Sequence, residues 1–191
     1  MFLLNKPRDR DIENLLARAG SLPLSYSPVG IARGVAHRFN LDVLRTSIGS
    51  GREDFDAAKR AIDTWQMFNI GWCEVFPKGA ATTEGTNVAV IARHLGFWSL
   101  NSCRVVYGMS DGGDEEQYGF GYGTLTEHAE QGEEIFAVSF NSRSGEVSYL
   151  IRAASRPRAL LAKLGYPISR WYQARFRNAS TAAMRKALRS G

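Results

Sequence analysis

The chain has 191 residues, 44% of them hydrophobic, 11% aromatic and 23% charged, with 19 glycines. That is enough apolar material for a self-sufficient core, and it excludes fibrous and disordered chains. The formal net charge is +5, but residues 152–191 hold ten Lys or Arg and no acid, whereas the first 151 hold fourteen Lys or Arg against nineteen Asp or Glu. A basic end of this kind suits phosphate-bearing partners, anionic lipid head groups, the chain's own acidic half, or simple solvation of a helix face.

Residues 8–21 place Ile12, Leu15, Leu16 and Ala19 at helical spacing and stop at Gly20, where a left-handed residue is expected to end a short amphipathic helix. Residues 22–34 contain two prolines and two glycines and read as an irregular lead-in. Residues 39–48 alternate at Phe39, Leu41 and Val43, then shift to Leu44 and Ile48, which predicts a first strand with a bulge. Ser50 and Glu53 have capping-box spacing, and the helix after them carries Phe55, Ala58, Ile62, Trp65 and Phe68 as one apolar stripe. Six extended segments follow: 70–76, 86–94, 97–109, 117–126, 134–141 and 146–151. Turns at Asp111–Asp114 and Ser142–Gly145 permit only antiparallel neighbours.

In the strand around Tyr118, Tyr118, Phe120 and Tyr122 share one face while Gly119, Gly121 and Gly123 share the other. A face without side chains lets the sheet curve or another element approach its backbone. Residues 158–190 read as a long basic helix with Leu161, Leu164, Ile168, Tyr172, Phe176, Ala179 and Ala183 as its apolar face, broken or kinked early by Gly165 and Pro167. No linker divides the chain, so 1–191 is expected to be one domain, with 1–38 as N-terminal helix and lead-in and 39–191 as sheet and C-terminal helix.

The order strand, helix, six strands, long helix resembles the helix-grip fold of the START and SRPBCC superfamily. That resemblance implies an α+β fold in which a curved seven-stranded antiparallel sheet wraps the last helix and leaves an apolar cavity between them. The strings GSGREDF (49–55), VAVIARHLGFWSLNSCRVVY (88–107), YGFGYGTLTEHAEQGEEIF (118–136) and IRAASRP (151–157) are similar to the domain-of-unknown-function family nineteen-ninety, a family of UPF-type proteins. Its recurrent pattern matches Gly123, Thr124, Leu125, His128, Gly132 and Glu133. The resemblance implies a fold and brings no reaction with it.

Arg93 and Arg104 lie in otherwise apolar strands. Facing inward, either would anchor a carboxylate or phosphate head while Trp72, Trp98, Tyr107 and Tyr122 line the apolar part; facing outward, they meet solvent or an acid such as Glu74 or Asp42. His128, flanked by Glu127 and Glu130, is a candidate ligand contact or acid–base group, and turn stabilisation explains it equally well. Glu133 and Glu134 are successive and would point to opposite sheet faces, so they form no carboxylate pair.

No nucleophile elbow, phosphate loop or metal-ligand spacing is present, and no cofactor is implied. Cys73 and Cys103 are too few for a disulfide framework. The start of the chain lacks a signal-like apolar region, and the longest apolar run, Val88–Ala92, falls far short of the roughly 18 residues of a spanning helix. A cytoplasmic protein without a transmembrane segment is expected. The leading reading is a non-catalytic or weakly catalytic protein that binds a small hydrophobic or amphipathic ligand. A cyclase- or hydrolase-like enzyme using His128 or His94 is the second reading. Binding of nucleic acid or a partner through the C-terminal helix is the third.

Overall fold

The computed structural model describes residues 1–34, 39–94, 96–128, 130–157 and 166–189, with side chains of the last helix described from Trp171 onward. The elements run β1 (Phe2–Leu3), α1 (Asp9–Ala19), β2 (Asn40–Ser50), α2 (Gly51–Asp63), a 3-10 turn (Gln66–Phe68), β3 (Cys73–Phe76), β4 (Asn87–Arg93), β5 (Trp98–Asp111), β6 (Glu115–Thr124), β7 (Glu130–Asn141), β8 (Glu146–Pro157) and α3 (Tyr166–Leu188). The predicted positions Leu161, Leu164 and Gly165, the side chain of Ile168, and His37 lie outside the described residues.

The strands form one curved antiparallel sheet in the order β2-β8-β7-β6-β5-β4-β3. The short β1 pairs with the start of β5, a stretch that β6 does not reach. Short connections explain the meander from β4 to β8; the Asn141 side chain, for example, accepts the Arg143 and Ser144 amides at 3.0 Å and closes the β7–β8 turn. The first strand crosses to the far edge beside β8; its register is regular through Val43 and Leu44, where the alternation shifts, and its bulge lies further on, between Ser47 and Gly49.

Both α2 and α3 pack on the inner face of the sheet, and α1 packs on the outer face of β4 and β5. Phe55, Ala58 and Ile62 of α2 join Phe120, Phe136, Tyr149 and Ile151 of the strands in the main core. The α2 stripe is shorter than expected. The helix ends at Asp63, and Trp65, left-handed at φ 56°, reverses the chain so that Trp65 and Phe68 reach the core from the 3-10 turn. The start of α2 also differs: Ser50 makes no side-chain cap, and Asp54 rather than Glu53 accepts the Ser50 amide at 2.7 Å. Gly51, at φ 85°, sets the helix entry one residue later than the capping-box spacing assumes.

The inward stripe of α3 runs through Tyr172, Phe176, Ser180, Met184 and Leu188, every fourth residue, with Ser180 and Met184 buried and the other three half-buried. The expected Ala179 and Ala183 are half-buried as well. Ser180 belongs in the stripe because its hydroxyl pairs with that of Tyr149 at 2.8 Å, giving a buried phenol the partner it needs.

Candidate functional site

Strand register builds the inner face in rows. Asp42 pairs with Ala153, Ala153 with Glu134, Glu134 with Tyr122 and Tyr122 with Val105, so these five side chains cross five strands on one face. The adjacent row is Leu44, Ile151, Phe136 and Phe120, three of them fully buried. A polar row therefore borders a closed apolar core.

Glu134 is half-buried on this face, and the Tyr122 hydroxyl donates to its Oε2 at 2.9 Å. Burial pushes its carboxyl up to about 7; the Tyr122 hydrogen bond opposes this, Glu130 adds to it, and Arg177 opposes it. Glu130 lies further along the same face of β7 and is also raised by burial. Arg177 of α3 reaches over the row, its guanidinium 3.8 Å from Asp42. Asp42 and Glu134 thus share one guanidinium beneath the helix, with Glu130 further along the same face.

Aromatic rings flank the polar row: Tyr122 stacks on Phe136 at 5.7 Å, Phe68 meets Phe176 at 5.3 Å, and Trp72 meets Tyr172 at 6.0 Å. Tyr172 also edges onto His94 at 4.8 Å, and His94 Nε2 bonds the Ser99 hydroxyl at 2.9 Å. Burial holds the His94 imidazole below its ordinary range. Cys73 and Cys103 are buried free thiols on the same face, and burial pushes Cys73 up to about 12. No group of three His, Cys, Asp or Glu among the described residues is arranged to hold a metal.

The other side of β7 is different. Glu133 is buried at 3% exposure and accepts four hydrogen bonds, from Tyr26 at 2.7 Å, Tyr107 at 2.5 Å, the Gly30 amide at 2.8 Å and the Ala32 amide at 3.2 Å. It moors the lead-in across the outer face. The glycine face of β6 makes room for this: a methyl group on Gly121 would overlap the Tyr107 ring, and one on Gly123 would overlap Tyr26.

The family model described as a domain of unknown function, DUF1990, matches residues 25–183. The chain belongs to the DUF1990 family. A UPF0548 protein of Dictyostelium discoideum is 30% identical over 210 aligned residues, covering 100% of this chain and 97% of its own length. Among solved structures, a hypothetical protein of Helicobacter pylori superposes with a TM-score of 0.52 at 10% identity, covering 83% of this chain and 92% of that one, a likeness of fold alone. Human STARD10 aligns at 12% identity and a TM-score of 0.49, over 96% of this chain and 80% of its own. The sheet wrapped on α3 is the helix-grip arrangement that the sequence resemblance implies.

In this DUF1990 protein the predicted contacts divide between the faces. Trp72 and Tyr122 lie inside, as does His94. Arg104 does not: its Nε donates to Asn87 at 2.8 Å and its Nη2 to the Ala19 carbonyl at 2.6 Å, so it caps the C-terminus of α1. This also replaces the expected left-handed Gly20, whose φ is −57°. Arg93 is exposed on the outer face, 6.0 Å from the Trp98 ring, and Trp98 packs there near α1. Tyr107 is on the outer face because a bulge between Val105 and Tyr107 shifts the alternation of β5. His128 sits in the β6–β7 loop, where its Nδ1 accepts the Glu130 amide at 2.9 Å and burial lowers it to about 4.

Of the two orientations open to Arg93 and Arg104, the structure has the outward one, so neither offers a cationic anchor for an anionic head on the inner face. The polar groups found there instead are Glu134, Glu130, Asp42 and Arg177. The sequence shows Glu134 in a strand and Arg177 on a helix, but only the register β2-β8-β7-β6 brings Asp42 into the same row.

Proposed function

We propose that this DUF1990 protein binds a small amphipathic molecule between the inner face of its sheet and α3. The observation that carries the reading is Glu134, a half-buried carboxyl group on the inner face, set among aromatic rings, whose Oε2 accepts the Tyr122 hydroxyl at 2.9 Å. The rings of Trp72, Tyr172 and Phe176 would hold the apolar part through water release. With Asp42, Glu134 and Glu130 on one face and Arg177 as the cation beside the first two, the complementary head is one that donates hydrogen bonds: an alcohol, an amide or a protonated amine. A carboxylate or phosphate head would meet like charge.

The mechanism is sequestration by burial, with Glu134 setting orientation. In the cyclase- or hydrolase-like alternative, Glu134 is better poised for proton transfer than His94 or His128, since its carboxyl titrates at about 7 and both imidazoles are held below their ordinary range. The same reading treats residues 1–191 as one functional unit and places the chain in the cytoplasm, where free thiols such as Cys73 and Cys103 stay reduced. Among the described residues no helix is long and apolar enough to cross a membrane.

Native mass spectrometry before and after organic extraction tests carriage of a ligand. Thermal-shift titration with alkyl alcohols, alkyl amines and fatty acids of equal chain length tests the head group. The expected result is a shift with alcohols or amines that Glu134→Gln weakens. Absence of any carried or added ligand, or a preference for fatty acids, overturns the reading.

A further inference from the structure

At the edge where β4, β5 and α3 meet, aromatic rings form a continuous chain that belongs to no core cluster at either end. Phe2 contacts Phe97 at 5.5 Å, Phe97 stacks on His94 at 5.1 Å, His94 meets Tyr172 at 4.8 Å and Tyr172 meets Trp171 at 4.9 Å. The two ends are open to solvent, Phe2 at 63% and Trp171 at 54% exposure, and Leu4 beside Phe2 is 84% exposed. Most surfaces show exposed apolar residues singly, whereas here they are joined by ring contacts into one strip.

The charges along this strip are of one sign. The exposed Arg175 lies 5.5 Å over the Trp171 ring and 4.8 Å over Trp72, and the exposed Arg93 lies beyond the other flank near Trp98. The nearby acids are already engaged: Glu74 by Lys6 and Lys78, Glu127 by Arg18. No Asp or Glu occurs from residue 152 to 191. We propose that this strip is a docking surface for an anionic lipid bilayer, with Trp171 and Phe2 entering the interface and Arg175 and Arg93 meeting the head groups.

Amphipathic rings favour the boundary between head group and acyl chain, and each cation beside them adds attraction to an anionic leaflet. The exposed aliphatic Leu4 favours a bilayer over nucleic acid, which offers stacking faces but no acyl layer. Docking of this kind is peripheral; it shares Tyr172 with the ligand reading but rests on the exposed Phe2, Leu4 and Trp171, which that reading does not use.

Flotation of the full chain with phosphatidylcholine vesicles, with and without phosphatidylserine, tests the proposal, together with tryptophan emission. The expected result is retention on the phosphatidylserine vesicles, lost as salt rises, with a blue shift of emission. Trp171→Ala should lower partitioning about tenfold and Arg175→Glu by at least as much, with unchanged Tm for both exposed positions. The proposal is overturned by absence of retention on phosphatidylserine vesicles at low salt, or by retention that neither variant weakens. Equally tight capture of a single-stranded oligonucleotide that survives Trp171→Ala would also overturn it, and would assign the basic helix to nucleic acid.

Discussion

Glu133 and Glu134 are joined by one peptide bond yet live in opposite surroundings. On the outer face, Glu133 collects two phenol hydroxyls and two backbone amides, so its charge is fully met and it moors the lead-in. On the inner face, Glu134 has the Tyr122 hydroxyl, like-charged Glu130 and Asp42 nearby, and Arg177 above. The lesson is that burial of a carboxylate says little by itself. Four donors make one glutamate a structural anchor, whereas the other, with the Tyr122 hydroxyl as its donor among the described residues, is the group we propose to meet a donor from outside the chain.

The largest effect should come from cutting the anchor. Glu133→Ala strands four donors on the outer face and should lower stability by about 3–5 kcal/mol in chemical denaturation, with faster proteolysis within residues 22–34. A loss below about 1 kcal/mol would dissolve the contrast between the two sites.

Glu134→Gln should act in the opposite direction. The unfolded carboxyl loses its proton near 4.5, while the folded one keeps it up to about 7, so the native chain loses stability as pH rises through that window. The variant, which cannot ionise, should be more stable than the native chain at pH 8 by up to about 3 kcal/mol and equal to it at pH 4, as read from paired urea titrations.

His128 sharpens the comparison from the acid side. Its folded imidazole stays neutral down to about 4, so the stability it contributes is complete above the ordinary value of 6.5 and is lost as pH falls from 6.5 toward 4. His128→Asn should remove about 2 kcal/mol of that acid-side loss in the same titrations. The smallest expected effect is Arg104→Met, which leaves the end of α1 uncapped and should cost about 1 kcal/mol without altering binding of any ligand inside.

The fold was legible because its signals are local. The alternation of β6, the stripe of α2 and the two short turns each act over a few residues, and together they specify a meander closed by a long helix. The faces of individual side chains were less legible. A bulge shifts β5 by one residue near Val106, which turns Tyr107 outward although strict alternation would set it with Val105. The face of Arg104 stays open until α1 is known to end directly over it. The polar row was illegible for another reason: Asp42, Glu134 and Arg177 are far apart in sequence, and only strand order and helix placement bring them together. The opposite orientation of Glu133 and Glu134, by contrast, follows from the two-residue period alone.

The bare side of β6 has a consequence for how this chain tolerates change. Gly121 and Gly123 are the imprint of Tyr107 and Tyr26, so each glycine and its tyrosine form a lock and key written in two distant stretches of sequence. Enlarging either glycine alone should evict a phenol and leave Glu133 short of a donor. A compensated pair, such as Gly121→Ala with Tyr107→Leu, would relieve the clash but could not restore the lost hydroxyl, so the two positions are free to drift only as a couple and only downhill.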